Sequence, residues 1–208
     1  MDAAASVFDA MLPLARLPSV GALPPLEVGQ RRIVLARNGV FIEAMSRVVH
    51  ACVSAMSGDA GHGLGLGVAR PFVRFLYGAI PEAITKTMAV RARALCPSEW
   101  AGLVVFERGQ YRLVEPQALA RSAGHVRYDS VGVDPLSVAM DVHSHGRGAS
   151  YFSGTDDADD RRNPSPCFVA GVIGHAGADQ TMSWCARAVV HGRFHALGGG
   201  MPDDQETG

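Results

Sequence analysis

Between residues 31 and 53 the apolar residues come in short runs of strand length. Arg32-Ile33-Val34-Leu35-Ala36 and Val40-Phe41-Ile42-Glu43-Ala44 flank Asn38-Gly39, the dipeptide that most favours a tight β-hairpin turn because its residues tolerate positive φ. Residues 48–53 predict a third strand. The first thirty residues carry Pro13, Pro18, Pro24 and Pro25, which break any long helix, and are read as an extended lead-in. The stretch 58–67 is a glycine-rich connector. It lacks the Gly-Lys-Ser/Thr ending of a P-loop and does not join a strand to a helix, so it is not read as a phosphate cradle. From Pro81 the apolar period lengthens: Ile84, Met88, Val90, Ala94 and Leu95 predict a helix that starts on a first-turn proline and stops before Pro97. The period then shortens again. Residues 103–106 predict a buried strand, Gly109 a turn, and 111–114 the hairpin partner. Residues 138–142 predict a strand and 155–162 a short acidic helix. Two more strands follow at 168–173 and 182–190, around a turn at Gly177, and residues 194–197 add another. Residues 198–208 are polar and glycine-rich, a frayed, disordered tail. This order predicts an α/β fold, a mixed β-sheet flanked by helices over 76–197, preceded by a small β-rich N-terminal unit over 1–75.

The strand at 138–142 runs into the one stretch whose spacing specifies chemistry. His143-Ser144-His145 is followed, after seven residues, by Ser153-Gly154-Thr155-Asp156. Side chains alternate along a strand, so Asp141, His143 and His145 share one face while Val138, Met140 and Val142 fill the core side. Ser144 points with the core residues and is assigned to packing or a backbone bond. Ser153 and Asp156, three apart, share a face on a helical first turn. Two imidazoles and one carboxylate make the three-ligand set of a catalytic zinc site, with the fourth tetrahedral position left for water. The same residues spell a Ser-x-x-acid capping box. The two readings are compatible, because a cap positions the helix that presents the carboxylate. Asp157 is the competing ligand if the register shifts by one. Asp157, Asp159 and Asp160 also favour the helix dipole whatever the function. His175, His191 and His195 raise a second metal set, but their surroundings read as strand and turn, so they are assigned to solvated surface. His125 has no assigned chemistry.

His-x-His, seven residues, Ser-x-x-Asp resembles the signature of the JAMM (JAB1/MPN/Mov34) metalloproteases, zinc isopeptidases and deubiquitinases, over about residues 80–197. The resemblance implies zinc (Zn2+) on His143, His145 and Asp156, with Ser153 assisting the oxyanion and an upstream glutamate as general base. In that family the glutamate lies between the first helix and the first strand of the core, and Glu99 fits that place. Glu107 and Glu115 would sit at a hairpin turn or a far strand end. The chain departs from the commoner pattern at Gly146, where many members carry proline. Gly146-Arg147-Gly148 is expected to make that loop more mobile. Four further stretches resemble the PRTRC system protein A branch of bacterial JAB proteins. They are Cys96-Pro97-Ser98-Glu99-Trp100-Ala101, Tyr111-Arg112-Leu113-Val114-Glu115-Pro116, Ser122-Ala123-Gly124-His125-Val126, and Ser153-Gly154-Thr155-Asp156-Asp157-Ala158-Asp159-Asp160. That branch implies a cassette with ParB- and ThiF-related genes. The implied substrate is a ubiquitin-like protein or its conjugates, and the implied partner a ThiF/E1-like enzyme. The implied activity is zinc-dependent peptide or isopeptide hydrolysis; the rival is a non-catalytic JAB-fold scaffold.

Composition narrows the field. Apolar residues make up 48% of the chain and charged ones 19%, values of a globular domain with a sizeable core. A net charge of −1 disfavours a nucleic-acid binder, which shows a basic face. A nucleoside-deaminase reading fails because His-x-Glu and Pro-Cys-x-x-Cys are both missing from the sequence. No stretch reaches the ~18 apolar residues of a membrane span, and the acidic N-terminus is unlike a signal peptide. Cys52, Cys96, Cys167 and Cys185 form no Cys-x-x-Cys pair, which fits reduced thiols in a cytoplasmic protein. Cys167 and Cys185 fall on strands expected to pair, which leaves a disulfide between them open.

Overall fold

A computed structural model describes residues 12–58, 64–121, 126–129, 132–179 and 181–198. The expectations for the first eleven residues, for the tail from residue 199, for the centre of the glycine-rich connector and for His125 lie outside the described residues. The first sheet contains β1 (Leu14–Arg16), β2 (Arg31–Ala36), β3 (Gly39–Met45), β4 (Val49–Ser57) and β5 (Phe72–Phe75), in that spatial order. Strand β1 runs parallel to β2; the other pairings are antiparallel. The β2–β3 hairpin closes with Ala36 opposite Gly39, so its two-residue turn is Arg37-Asn38 and Gly39 already belongs to the strand, at φ 140°. The Asn38 side chain exchanges two 2.9 Å hydrogen bonds with the backbone of Ala69, which fixes the turn against the far end of the connector.

Helix α1 (Glu82–Leu95) follows. It buries Met88 and Ala92, with Ile84 and Leu95 packed on the same core, a stripe at steps of four, four and three. Val90 does not join that stripe. Two positions past Met88 it is turned about 200° round the helix and is 66% exposed.

The second sheet has the order β13-β12-β11-β10-β6-β7. Its strands are β6 (Ala101–Glu107), β7 (Gln110–Val114), β10 (Val138–Ser144), β11 (Cys167–Gly174), β12 (Ser183–Val190) and β13 (Arg193–Leu197). The hairpin of β8 (Gln117–Arg121) and β9 (Val126–Asp129) stands apart from it. In this sheet only β10 and β11 pair in parallel, and the connection between them carries α2 (Gly154–Arg162). All eight residues of β11 are buried, as a strand covered on both faces must be. One face of this sheet shares a single apolar cluster with β3, β4 and α1, in which Ile42, Val49, Val53 and Met88 join Met140, Val142, Val169 and Ala188. The other face carries α2 and the cavity described below.

Strand β10 departs from strict alternation at its start. A bulge between Val138 and Met140 moves Val138 to the cavity side, where it clusters with Leu103 and Val105, while Ala139 joins Met140 in the main core. An extra residue on one strand flips the face of what precedes it. From Met140 onward the expected alternation holds. The four cysteines are free. Cys167 lies opposite Val190, and Cys185 opposite Val172, so the two are separated along the β11–β12 ladder. Cys167 Sγ instead points at the carbonyls of Ala44 and Val49, at 3.3 and 3.2 Å. Among the described residues no helix is long and apolar enough to cross a membrane.

Candidate metal centre

The site is built by the end of β10. Ser144 is fully buried between the two histidines, and its backbone and side chain both grip Trp100. The Ser144 N–H donates to the Trp100 carbonyl at 2.8 Å, and Ser144 Oγ accepts from the Trp100 N–H at 2.9 Å. Trp100 is itself fully buried, and Gly102 leaves the space its ring occupies, since a Cβ there would overlap it. The residue before this anchor is Glu99. It is 5% exposed and lines the same cavity, of about 670 Å³, as His143, His145 and Asp156. Glu107 and Glu115 lie elsewhere, paired with Arg112 and Arg91.

Helix α2 brings the carboxylate. Ser153 caps it: Ser153 Oγ accepts from the Asp156 N–H at 3.3 Å, and Asp156 Oδ2 accepts from the Ser153 N–H at 2.6 Å. The capping box and the approach to the histidines coexist, because Asp156 uses both oxygens. His143 Nε2 is 3.3 Å from Asp156 Oδ1, His145 Nε2 is 3.9 Å from Asp156 Oδ2, and the two Nε2 atoms are 3.2 Å apart. Zinc binds such donors at about 2.0–2.2 Å, which for a tetrahedron requires donor–donor edges of about 3.3 to 3.6 Å. The His143–Asp156 and His143–His145 spacings are close to such edges, while the His145–Asp156 spacing, to the other carboxylate oxygen, is wider; the donors are of the kind zinc takes and lie near its spacing. Among the described residues, they form the one set of three candidate ligands that converges in this way. His145 Nδ1–H donates to the Ala149 carbonyl at 3.1 Å, which fixes the tautomer with its Nε2 lone pair facing the other donors.

Electrostatics keep the set poised. For Asp156, burial pushes the carboxyl up, but bonds from His143 and from the Ser153 backbone outweigh it and hold it well below the usual carboxylate range. For His143, burial pushes the imidazole down, and the bond to Asp156 with the charges of Asp156, Asp141 and Glu99 raises it overall. His145 is lowered by burial and by neighbouring His143. Asp141, on the same face of β10, is pushed up to about 6 by burial against the pull of a 2.5 Å bond from the Tyr128 hydroxyl.

Gly146 follows the second histidine at φ 54°, and a Cβ there would overlap the Pro97 carbonyl oxygen. Proline, fixed near φ −65°, is excluded by the same geometry. The loop expected to be mobile is a bonded turn: Gly148 N–H reaches the His145 carbonyl at 2.8 Å, and the Gly146 and Gly148 carbonyls each accept a 2.7 Å bond from residues 176 and 175.

The sequence reading assigned Asp157 and Asp160 to the helix dipole. Their main partner is Arg187 of β12, whose Nη1 meets Asp157 Oδ1 at 2.6 Å and whose Nη2 meets Asp160 Oδ2 at 2.6 Å. A charged residue alternating with apolar ones in a buried strand was the available signal for Arg187. Tyr128, the other partner missed, comes from a hairpin that the apolar pattern does not mark. His175, His191 and His195 are half-buried, the first two outside the strands and His195 in the middle of β13, opposite Ala188. His175 holds Ser183 Oγ at 3.0 Å.

The family described as prokaryotic homologs of the JAB domain matches residues 81–187. A domain of unknown function, DUF2016, matches residues 2–76. Among solved structures, protein DSY2949 from Desulfitobacterium hafniense is similar at 16% identity and a TM-score of 0.42, over 57% of this chain and 88% of that one. No curated protein matches the chain.

Proposed function

The chain belongs to the prokaryotic JAB-domain family, and from that premise we propose that it is a zinc-dependent peptidase or isopeptidase of the JAMM type. The observation that carries this reading is the convergence of His143, His145 and Asp156, at spacings of 3.2, 3.3 and 3.9 Å, in the cavity that buries Glu99. Zinc held by these three supplies Lewis acidity to a carbonyl and acidifies water to near ~7. Glu99 takes the proton released by the attacking water and delivers it to the departing amine. Ser153 Oγ accepts from the Asp156 amide and keeps its hydroxyl hydrogen to donate to the developing oxyanion. All five positions are filled, which favours catalysis over a scaffold role.

The PRTRC-like stretches support a substrate class: the tail of a ubiquitin-like protein, or its conjugates, processed beside a ThiF/E1-like enzyme. Four free thiols accord with action in the reducing cytoplasm.

Elemental analysis tests the zinc centre. About one zinc per chain is expected, lost in His143→Ala and Asp156→Ala because a three-ligand site cannot spare one. Full zinc retention in His143→Ala removes the assignment. Cleavage of a fusion between a ubiquitin-like protein and a reporter then tests the substrate class.

A further inference from the structure

Helix α2 presents Asp156 yet has no apolar face of its own to hold it on the sheet. Its sequence, Gly-Thr-Asp-Asp-Ala-Asp-Asp-Arg-Arg, contains one small apolar residue, and none of its nine residues is buried. A helix this short is not stable alone in water, and this one lacks an apolar face with which to dock. Among the described residues, the charged hold on the β12 side is Arg187, beside a stack of the helix's own Arg161 on Phe194 at 4.5 Å.

Arg187 projects from β12 at 6% exposure. Its Nε and Nη2 donate to Asp160 Oδ2 at 3.0 and 2.6 Å, and its Nη1 donates to Asp157 Oδ1 at 2.6 Å. The guanidinium plane lies between two rings, Phe152 at 3.9 Å and Phe194 at 3.7 Å. Phe152 immediately precedes the helix cap and Asp157 immediately follows Asp156. Arg187 therefore grips the helix on both sides of the ligand, without touching the ligand.

We propose that Arg187 is the positioning residue that sets the zinc affinity of the site, by holding α2 where Asp156 faces the two histidines. The proposal rests on the zinc reading above. Beyond the Asp156–His143 pair and the Arg161–Phe194 stack, two stronger tethers then fix α2: the Arg187 clamp, present always, and the metal, present conditionally. With both in place, Asp156 is pre-organised and zinc gains its third ligand at no cost in ordering. Without Arg187, zinc must dock the helix as it binds, and its affinity falls although every ligand is intact. Lysine is a poor substitute, since an ammonium cannot fork to two carboxylates or stack between rings.

The test compares the full chain with Arg187→Met and Arg187→Lys. Methionine keeps an unbranched apolar stem beside the rings while removing the guanidinium with its charge and its forked hydrogen bonds. Zinc affinity is measured by competition with a chromophoric chelator, and hydrogen exchange of the α2 amides with and without zinc. The expected result is zinc binding weaker by about 10- to 100-fold in Arg187→Met, the range of lost outer-shell support, and an intermediate loss in Arg187→Lys. In the metal-free variant, faster exchange confined to α2 and reversed by saturating zinc is expected; a purely structural role would not give that pattern. If Arg187→Met does not fold, Asp160→Asn, which removes two of the three charged contacts, carries the same expectation at smaller size. Affinity within about twofold of wild type in these variants overturns the proposal, as does exchange that spreads through β11 and β12. Wild-type chain that binds no zinc overturns both this proposal and the zinc reading, whereas wild type and Arg187→Met binding equally well overturns this one alone.

Discussion

A hydroxyl between the two histidines ties the proposed base to the proposed ligands. Ser144 holds both backbone polar groups of Trp100, and Glu99 is the neighbouring residue. Replacing Ser144 by alanine leaves the Trp100 N–H buried without its acceptor, which costs about 1–3 kcal/mol. The expected outcome for Ser144→Ala is a lower midpoint in denaturant with zinc retained, and a fall in turnover larger than the stability loss explains. The residue beside it bears the sharper prediction. Glu99→Gln keeps shape and hydrogen bonding but cannot accept a proton, so hydrolysis is expected to fall ~100- to 10,000-fold while zinc content stays at wild-type level. Glu107→Gln and Glu115→Gln, whose side chains pair with Arg112 and Arg91, are expected to leave turnover unchanged. A collapse in either, with normal Glu99→Gln, would move the role.

At the scale of elements, strong periodicity was readable and weak periodicity was not. Strands β2 to β4, β6, β7 and β10 to β13 and helix α1 lie where their apolar patterns fall, the acidic run locates α2, and His-x-His with Ser-x-x-Asp announced the convergence of its side chains. The missed strands have physical reasons. β1 is three residues in a proline-rich segment and pairs in parallel with a strand fifteen residues away, a contact that local pattern cannot encode. β5 buries only Phe75 fully. The β8–β9 hairpin belongs to neither large sheet and has no long apolar run. Val90 shows the opposite error, an apolar residue taken for core that faces water. The contrast gives a prediction: Met88→Ala is expected to cost about 2–5 kcal/mol, as core truncations do, whereas Val90→Ala stays within about 0.5 kcal/mol. Urea unfolding of the two variants measures both.

On the scale of the whole molecule, the two sheets share one apolar cluster, so the stability of the first is felt at the second. Glu43 of β3 lies under the bonds of Arg32, at 2.7 Å, and His50, at 2.8 Å. Burial pushes its carboxyl up, and the bonds from His50 and Arg32 outweigh it, leaving Glu43 below its ordinary value. A depressed carboxyl contributes stability that is complete above the unfolded value, ~4.3, and is lost as pH falls through the folded one. Glu43→Gln is therefore expected to be less stable than wild type near neutral pH, with a shallower loss below about pH 4; urea midpoints across that range measure it. The shared cluster also has a consequence in time. Residues up to Phe75 leave the ribosome first, and the last partners of their apolar face, Ala186 to Val190, are made more than a hundred residues later. At ~5–20 residues per second that interval is on the order of 10 seconds. Throughout it Ile42, Val49 and Val53 lack part of their final cover, so the β-rich leading portion has to be shielded from its own kind until the histidine-bearing sheet is complete.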